Sequence, residues 1–187
     1  HLVGQQAVGL ELCQKAVDGV DFVLHQAALA SVPKSLKFPR ETTEVNVGGT
    51  VNMLPAARDA KVKRFVFAAS SSAYGNTESL PKVESMRPSP LSPYAIQKVA
   101  GEQFCRVYWE QFGLPTVALR YFNIYGPRQD PNSVYSAVIP KFVAACLAGD
   151  GPTIFGDGKT SRDCTYIDNV VQANLLACEA DPEICGG

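Results

Sequence analysis

The chain has 187 residues, which fits one domain or a large part of one. Seventeen Lys and Arg residues against 18 Asp and Glu residues leave a net charge of −1, so no basic field attracts nucleic acid. Apolar residues make up 46% and charged residues 19%, which excludes a disordered chain. No apolar run approaches the roughly 20 residues of a membrane span, so we expect no membrane partner.

Six cysteines are scattered along the chain without a Cys-x-x-Cys spacing. Buried free thiols in a reducing compartment are therefore favoured over disulfides or a metal site. The N-terminus shows no basic segment followed by an apolar stretch, so we expect a cytoplasmic protein without a secretory leader. The chain opens at His1 without a Met and soon reaches a strand pattern, so we expect a fragment of a longer protein.

Three short apolar runs predict strands at Val20–His25, Arg64–Ala69 and Thr116–Tyr121. Two helical patterns lie between them, at Arg40–Asp59 and Tyr94–Phe112. The alternation of strand and helix predicts βαβ units and an α/β fold with a parallel sheet covered on both faces.

Proline and loop residues complicate the remaining predictions. Pro55 lies inside the first helical pattern and predicts that this helix kinks or ends early. From Gly126 the chain is richer in loops, with helices predicted at Tyr135–Leu147 and Asp168–Glu179. Asp168 is the expected N-cap of the last helix. Its expected apolar face consists of Val170, Val171, Leu175 and Leu176.

Tyr94 and Lys98 are the first candidate catalytic pair. Residues four apart on a helix project from the same face. A free Tyr has a pKa near ~10, but a neighbouring ammonium favours the phenolate, which can remove a proton from a hydroxyl. The spacing alone also suits an ordinary helix face.

Polar or small residues follow all three predicted strands, where an α/β sheet binds its ligands. Ser70-Ser71-Ser72 follows the second strand, while His25-Gln26-Ala27-Ala28 spans the end of the first and Leu119-Arg120-Tyr121-Phe122-Asn123 the end of the third. A polar turn explains the serines alone, and tight strand–helix packing explains the alanines alone. Their coincidence at one sheet edge favours a ligand site.

These motifs, together with Asn46-Val47-Gly48-Gly49-Thr50, Pro93 to Lys98 and Gly156 to Asp163, resemble the extended short-chain dehydrogenase/reductase family of NAD-dependent nucleotide-sugar epimerases and dehydratases. The resemblance runs from about Gly19 to Glu179. It implies a Rossmann-like, doubly wound parallel sheet that is incomplete. Residues 1–125 would be the C-terminal part of the NAD-binding domain, and residues 126–187 part of the substrate-binding region.

The resemblance also implies roles for individual residues. NAD is the implied cofactor and a UDP-sugar the implied substrate. The implied catalytic residues are Ser70, Ser71, Tyr94 and Lys98. The implied cofactor contacts are Gln26, Ala27, Ala28, Tyr94, Lys98 and Tyr121. The implied substrate contacts are Ser31, Ser71, Ser72, Asn123, Ala137, Val138 and Arg162.

Within the family, the chain is most similar to UDP-N-acetylglucosamine 4-epimerases, including those that act on the uronic acid. Dehydratases of the family place an Asp-Glu pair just after the serine position, and decarboxylases keep a Glu there. This chain has Ser72-Ala73 before Tyr74 and no carboxylate, which favours epimerisation at C4 through a 4-keto intermediate. A dehydratase, a decarboxylase and a non-catalytic nucleotide-sugar-binding relative are the alternatives.

The chain departs from the family in having no glycine-rich phosphate loop after a first strand, and Gln6 stands where the family has an adenine-contacting Asp. We therefore expect these 187 residues alone to be inactive and to bind NAD weakly. In a full-length form, the resemblance implies a homodimer built on a four-helix contact between the Arg40–Asp59 and Tyr94–Phe112 helices of two subunits.

Overall fold

The computed structural model describes residues 9–77, 79–130, 138–154, 156–159 and 161–186. The strands within these ranges are β1 Phe22–His25, β2 Arg64–Ser70, β3 Thr116–Tyr121, β4 Asn123–Tyr125 and β5 Cys164–Tyr166. The helices are α1 Leu10–Val17, α2 Val32–Lys37, α3 Pro39–Thr43, α4 Gly49–Asp59, α5 Pro93–Phe112, α6 Val138–Ala148 and α7 Ile167–Glu179. A π-turn at Glu44–Gly48 and 3₁₀ turns at Ser71–Tyr74 and Pro182–Ile184 complete them.

The strands β1, β2 and β3 form one sheet in that order. Strands β1 and β2 run parallel, with Val23 opposite Phe65 and His25 opposite Phe67. Strands β4 and β5 form a separate parallel pair. The predicted α/β class with parallel pairing is confirmed, and each predicted strand of the first sheet is present, although β1 begins at Phe22 rather than at Val20.

Strand β2 is the centre of the sheet and is buried along almost its whole length. Its side chains alternate between the two faces. Phe65, Phe67 and Ala69 join the core under α1, α4 and α5. Val66 joins Val117 and Ala177 on the opposite face. Burying a Val or Phe side chain stabilises the fold by roughly 1.5–3 kcal/mol. Packing on both faces therefore holds β2, and with it the residues at its C-terminal end, in one position in the sheet.

The helix predicted at Arg40–Asp59 does not end early at Pro55. Helix α4 continues through Pro55 to Asp59, although the proline removes one N–H from the helix interior. The irregularity lies upstream, where the π-turn Glu44–Gly48 joins α3 to α4. The π-turn contains Asn46, which is buried.

Two compact units divide the chain, one from His1–Arg120 with Asn174–Gly187 and the other from Tyr121–Ala173. The first unit contains β1, β2, β3 as far as Arg120, helices α1 to α5 and the part of α7 from Asn174. The second contains β4, β5, α6 and the part of α7 up to Ala173. The functional assignment of residues 1–125 and 126–187 to cofactor and substrate binding stays a prediction.

The predicted apolar face of helix α7 is confirmed at Val170 and wrong at its other three positions. Val170, Asn174 and Ala177 are buried, whereas Val171, Leu175 and Leu176 are 50%, 58% and 59% exposed. The spacing of four and three residues places the buried three on one stripe. Asp168 lies in the first turn of α7, which begins at Ile167, so the predicted N-cap is wrong.

The described residues include no helix that is long and apolar enough to cross a membrane. All six cysteines are free. Cys13 and Cys105 are buried as predicted, but Cys146 is exposed, so the expectation of buried thiols is wrong at that position. No group of His, Cys, Asp and Glu in the described part of the chain is arranged to hold a metal ion.

Candidate active site

Tyr94 lies in the first turn of α5, and the residues Ser92 and Pro93 define where this helix begins. Ser92 is the N-cap, and its hydroxyl oxygen accepts a hydrogen bond from the backbone N–H of Ala95 at 3.1 Å. Pro93 occupies the first helical position, where its missing N–H costs nothing. The backbone N–H of Tyr94 donates to the hydroxyl of Ser35 at 3.1 Å. The start of α5 is therefore fixed on both sides.

Lys98 lies one turn further along α5 and is 4% exposed. Its Nζ donates to the backbone oxygen of Ala68 at 2.6 Å. The same nitrogen lies 5.0 Å from the ring centroid of Phe67 and 5.9 Å from that of Tyr94. Burial lowers the pKa of Lys98 to about 8, so the cation still predominates at neutral pH beside Tyr94.

A set of hydroxyl groups links the end of β2 to Tyr94. The hydroxyl and the backbone N–H of Ser72 both donate to Ser70 Oγ, at 2.9 Å and 3.2 Å. Because Ser70 accepts these bonds, its own proton can point to Tyr94. Burial raises the pKa of the Tyr94 phenol, and the hydrogen bond from Ser70 opposes that shift. The structure thus brings Ser70, Tyr94 and Lys98 together, with Ser71 half-buried next to Ser70.

His25 ends β1 as a buried, neutral imidazole. Its Nε2 lies 3.0 Å from Thr50 Oγ1, and that hydroxyl donates to the backbone oxygen of Asn46 at 2.7 Å. Since the Thr50 proton is used there, the proton between the two residues lies on His25 Nε2. Burial, and then the nearby charge of Lys98, lower the pKa of His25 to about 4. Of these two residues, Lys98 and not His25 therefore carries the positive charge at neutral pH.

Buried amides hold the segment that follows β1. Asn46 accepts a hydrogen bond from the N–H of Leu29 at 2.7 Å and donates to Gln97 Oε1 at 2.8 Å. Gln97 Nε2 donates to the hydroxyls of Thr42 and Thr43, each at 3.0 Å. Sequence reasoning did not assign Gln97 a role, although it is an amide placed directly before Lys98 on α5.

The predicted cofactor contacts at the end of β1 present small side chains and backbone. Ala27 is exposed and Ala28 half-buried. The Gln26 side-chain amide donates to Asn174 Oδ1 at 3.0 Å. Ser31 is the N-cap of α2, where its hydroxyl accepts from the backbone N–H of Lys34 at 3.0 Å. Ser31 therefore has a structural role, and its contact with a sugar stays a prediction.

Other predicted substrate residues lie in the second unit. Asn123 begins β4 and its side chain donates to the backbone oxygen of Asp163 at 2.8 Å. Arg162 is exposed, and its guanidinium donates to the backbone oxygen of Ser161 at 2.8 Å. The guanidinium retains further donors, as phosphate recognition requires.

Two further predicted contacts lie at the end of β3 and at the start of α6. Tyr121 is half-buried at the end of β3, and Val138 begins α6 with 44% of its surface exposed. Ala137 and Gln6 lie outside the described residues. The contact of Tyr121 with the cofactor, and the joint use of second-unit residues with Tyr94, stay predictions.

Known proteins resemble the chain along most of its length. A UDP-glucose 4-epimerase of Mycolicibacterium smegmatis is 41% identical over 158 residues, covering 84% of this chain and 50% of that protein. A UDP-N-acetylglucosamine 4-epimerase from Methanobrevibacter ruminantium M1, solved with UDP-N-acetylmuramic acid, is 43% identical with a TM-score of 0.87. The match covers 90% of this chain and 55% of that structure.

A UDP-glucuronic acid 4-epimerase from Bacillus cereus, solved with UDP-glucuronic acid and NAD, is 36% identical with a TM-score of 0.82, covering 93% of this chain and 54% of that one. The chain thus spans about half the length of the relatives it matches. These neighbours confirm the Rossmann-like fold. The sequence profile of one family matches residues 8–185, and the chain belongs to that family, the NAD-dependent epimerases and dehydratases.

Proposed function

We propose that the protein carrying this chain is an NAD-dependent epimerase that inverts C4 of a UDP-sugar. The observation that supports this most is the grouping of the Ser70 hydroxyl, the Tyr94 phenol and the Lys98 ammonium at the end of β2, with no carboxylate on the turn Ser71–Tyr74. This is a set of groups that can move one proton to and from a sugar hydroxyl.

NAD is the cofactor of the family, and the residues present fit its nicotinamide half. The Lys98 ammonium has three donors, and the bond to Ala68 uses one of them. The other two suit the ribose hydroxyls. Ala27 and Ala28 have small side chains that let the cofactor approach the backbone at the end of β1. The chemistry that NAD supplies when bound is the reversible acceptance of a hydride from C4 of the sugar.

Tyr94 is the proposed acid and base. As a phenolate it removes the proton of the sugar 4-hydroxyl while the hydrogen on C4 leaves as hydride, which gives a 4-keto sugar. Burial raises the pKa of Tyr94, and the hydrogen bond from Ser70 opposes that effect. The Lys98 ammonium, 5.9 Å from the ring centroid, is the proposed second group that favours the phenolate. Ser71 and Ser72 orient the sugar. After the 4-keto sugar has turned over, hydride returns to its other face and Tyr94 returns the proton.

Dehydratases and a decarboxylase are also among the relatives, so the reaction has to be argued from the residues. Elimination of water needs an acid and a base in addition to Tyr94. The turn Ser71–Tyr74 supplies hydroxyls and Ala73, at the place where the family resemblance implies carboxylates in dehydratases and decarboxylases. Glu102, on the next turn of α5 after Lys98, is already bound to Arg120 at 2.8 Å. Epimerisation needs no further acid.

The proposed substrates are UDP-N-acetylglucosamine and UDP-N-acetylgalactosamine, or the corresponding uronic acids. By the family resemblance, the small residue Ala137 would leave room for an N-acetyl group, and Asn123 and Arg162 would contact the diphosphate. The solved neighbours that act on UDP-N-acetylglucosamine and on UDP-glucuronic acid support both choices. Synthesis of surface polysaccharide precursors in the cytoplasm is the proposed setting, consistent with six free cysteines.

Chromatographic assay of a form extended to the length of the relatives tests this function. With NAD present, we expect interconversion of the UDP-N-acetylhexosamine pair, loss of at least about a hundredfold in Tyr94→Phe, and full activity in Tyr108→Phe, which alters a half-buried Tyr on the same helix. UDP-glucose and the uronic acids in parallel assays define the sugar. Bound NAD without turnover of any pair would favour the non-catalytic relative, and a 4-keto-6-deoxy product would favour the dehydratase.

The homodimer is also a proposal. Helix α5 exposes Ile96, Phe104 and Val107, which are 57%, 36% and 44% exposed. Their spacing places them on one side of the helix. This exposed apolar stripe on α5 supports the proposal of a four-helix contact between two subunits.

A further inference from the structure

A buried ion pair connects β3 with α5. Arg120 Nε donates to Glu102 Oε1 at 2.9 Å, and its terminal nitrogen donates to Glu102 Oε2 at 2.8 Å. The two side chains are 19% and 9% exposed. This is the two-pronged geometry in which guanidinium and carboxylate fit each other best, and neither residue has a role in the proposed reaction.

The same guanidinium reaches a third element. Its central carbon lies 4.7 Å from the ring centroid of Tyr74, a residue that is 5% exposed. Hydrogen bonds with Glu102 and with Tyr74 both raise the pKa of Arg120 above its ordinary value, so the group stays charged. Tyr74 is the last residue of the turn Ser71–Tyr74, which follows Ser70 directly.

Glu102 connects this cluster to the catalytic helix. Residues 94, 98 and 102 follow at intervals of four, so Glu102 continues the face of α5 that carries Tyr94 and Lys98. Arg120 therefore holds, through one planar group, both the helix that carries Tyr94 and the turn that begins beside Ser70.

Stability alone explains this arrangement poorly. A buried ion pair loses about as much in desolvation as it gains in attraction, and apolar replacements of similar size are often as stable or more so. What such a pair adds is a fixed geometry, because the guanidinium and the carboxylate fit in one relative orientation.

We propose that Arg120 is a positioning residue that, with Glu102 and Tyr74, fixes the serine turn against α5 and so maintains the hydrogen bond between Ser70 and Tyr94. Its significance for catalysis rests on the proposed function of Tyr94. The effect of Arg120 on the hydrogen bond between Ser70 and Tyr94 is independent of that function. It can be measured without cofactor or substrate.

The double variant Arg120→Met/Glu102→Met tests the proposal. It removes both charges together, leaves no unpaired buried ion and keeps similar side-chain volume. The readout is the pKa of the Tyr94 phenol, followed by carbon-13 NMR of the chain labelled at tyrosine, with the signal assigned through Tyr94→Phe. Because the Ser70 hydrogen bond lowers this pKa, we expect a rise of about half a unit or more when it is lost.

Two further variants complete the test. Arg106→Met/Glu110→Met removes an exposed pair with a 2.8 Å contact on the same helix and should leave the Tyr94 pKa unchanged. Arg120→Lys keeps the charge beside Glu102 but loses the two-pronged contact, so it should also raise the Tyr94 pKa. It serves as the test variant if the double variant does not fold. Circular dichroism and urea unfolding establish which variants are folded. An unchanged Tyr94 pKa in the folded variants overturns the proposal.

In an extended, active form, the acid limb of the kcat–pH profile should move to higher pH by the same amount. If the unmodified form has no activity, the proposed function fails, and the Tyr94 titration still decides the role of Arg120.

Discussion

The Nζ atom of Lys98 lies 2.6 Å from the backbone oxygen of Ala68. This hydrogen bond connects the buried ammonium on α5 to the C-terminal end of strand β2. This bond sets the position of the charge relative to Tyr94, whose ring centroid is 5.9 Å from the same atom. The burial that holds the ammonium in place also disfavours its charge. Keeping a charged Lys98 beside Tyr94 therefore lowers the free energy of unfolding at neutral pH.

Lys98 should make stability depend on pH in the alkaline range. Its pKa falls from 10.5 in the unfolded chain to about 8 in the folded one. Between these values the unfolded chain binds more protons, so the folded state gains stability as pH rises through this window. The free energy of unfolding of the wild type relative to Lys98→Met should increase by about 1–3 kcal/mol from neutral pH to the upper end of the window. Urea unfolding measures it.

Lys15→Met is the matched control for this experiment, because Lys15 is exposed on α1. A Lys98→Met difference that changes with pH no more than the Lys15→Met difference would show that Lys98 is not desolvated in the folded state.

His25 should make stability depend on pH in the acid range, and in the same direction as Lys98, because the pKa of both groups is lowered by folding. The pKa of His25 is lowered from 6.5 to about 4. The stability that this shift represents is complete above pH 6.5 and is lost as pH falls towards 4. His25→Asn retains a donor for Thr50 and cannot be protonated, so the advantage of the wild type over this variant should shrink by about 2–3 kcal/mol across the window.

Unfolding in urea at a series of pH values measures this difference. His1, the only other histidine of the chain, is present in both proteins and cancels from the comparison. A constant difference between pH 7 and pH 4 would mean that His25 binds a proton equally in the folded and unfolded states.

The sequence was sufficient to predict the strands and the pairing of Tyr94 with Lys98. Continuous apolar runs leave little choice of element, and a spacing of four puts two side chains on one face wherever the helix begins. The serine turn followed because parallel strands end at a common edge. Local patterns of this kind carry their own geometry.

Other features depend on partners that are distant in sequence. Glu102 has the pattern of a surface charge on α5, and its burial against Arg120 follows from the packing of β3. Gln97 has a donor and an acceptor, but its partners are 51 to 55 residues away. The predicted face of α7 was wrong at three positions because the helix carries more apolar residues than the described structure covers. Val171, Leu175 and Leu176 are apolar but exposed. A helical period identifies a stripe but not what packs on it.

Gln97 should contribute to stability through its buried hydrogen bonds. Gln97→Leu would leave the side-chain amide of Asn46 and the hydroxyl of Thr42 without this partner in a buried environment. Asn46 Nδ2 keeps its bond to the backbone oxygen of Leu29. The Thr42 hydroxyl still donates to the backbone oxygen of Phe38, so each group loses one hydrogen bond and is not left wholly unpaired. A lost buried hydrogen bond costs about 1 kcal/mol, and we expect a loss of about 1–3 kcal/mol in urea unfolding. Gln111→Leu, at an exposed position of the same helix, should change stability by less than about 0.5 kcal/mol. Equal effects would show that the network contributes nothing specific.

The exposed stripe on α5 should mediate dimerisation of a form extended to the length of the relatives. Ile96→Glu/Val107→Glu places two charges on residues that are 57% and 44% exposed in the single chain. Burial of unpaired carboxylates in an interface is unfavourable, so sedimentation should detect dimers of the unmodified form and monomers of the variant. Lys61→Glu, an exposed change outside α5, is the control. A variant that sediments as a dimer would place the interface elsewhere.

Gly101 should be irreplaceable where α5 crosses β2. A Cβ at this position would overlap the ring of Phe67, with Cε1 only 2.7 Å away. That ring also lies 5.0 Å from Lys98 Nζ. Gly101→Ala should therefore destabilise the chain by about 1–3 kcal/mol, measured by urea unfolding, and Phe67→Leu in the same chain should recover part of the loss. Gly48→Ala, where a Cβ meets no atom within 4 Å, should be neutral or stabilising by up to about 1 kcal/mol. If both alanine variants unfold at the same urea concentration, the close approach of α5 to β2 is not needed for stability.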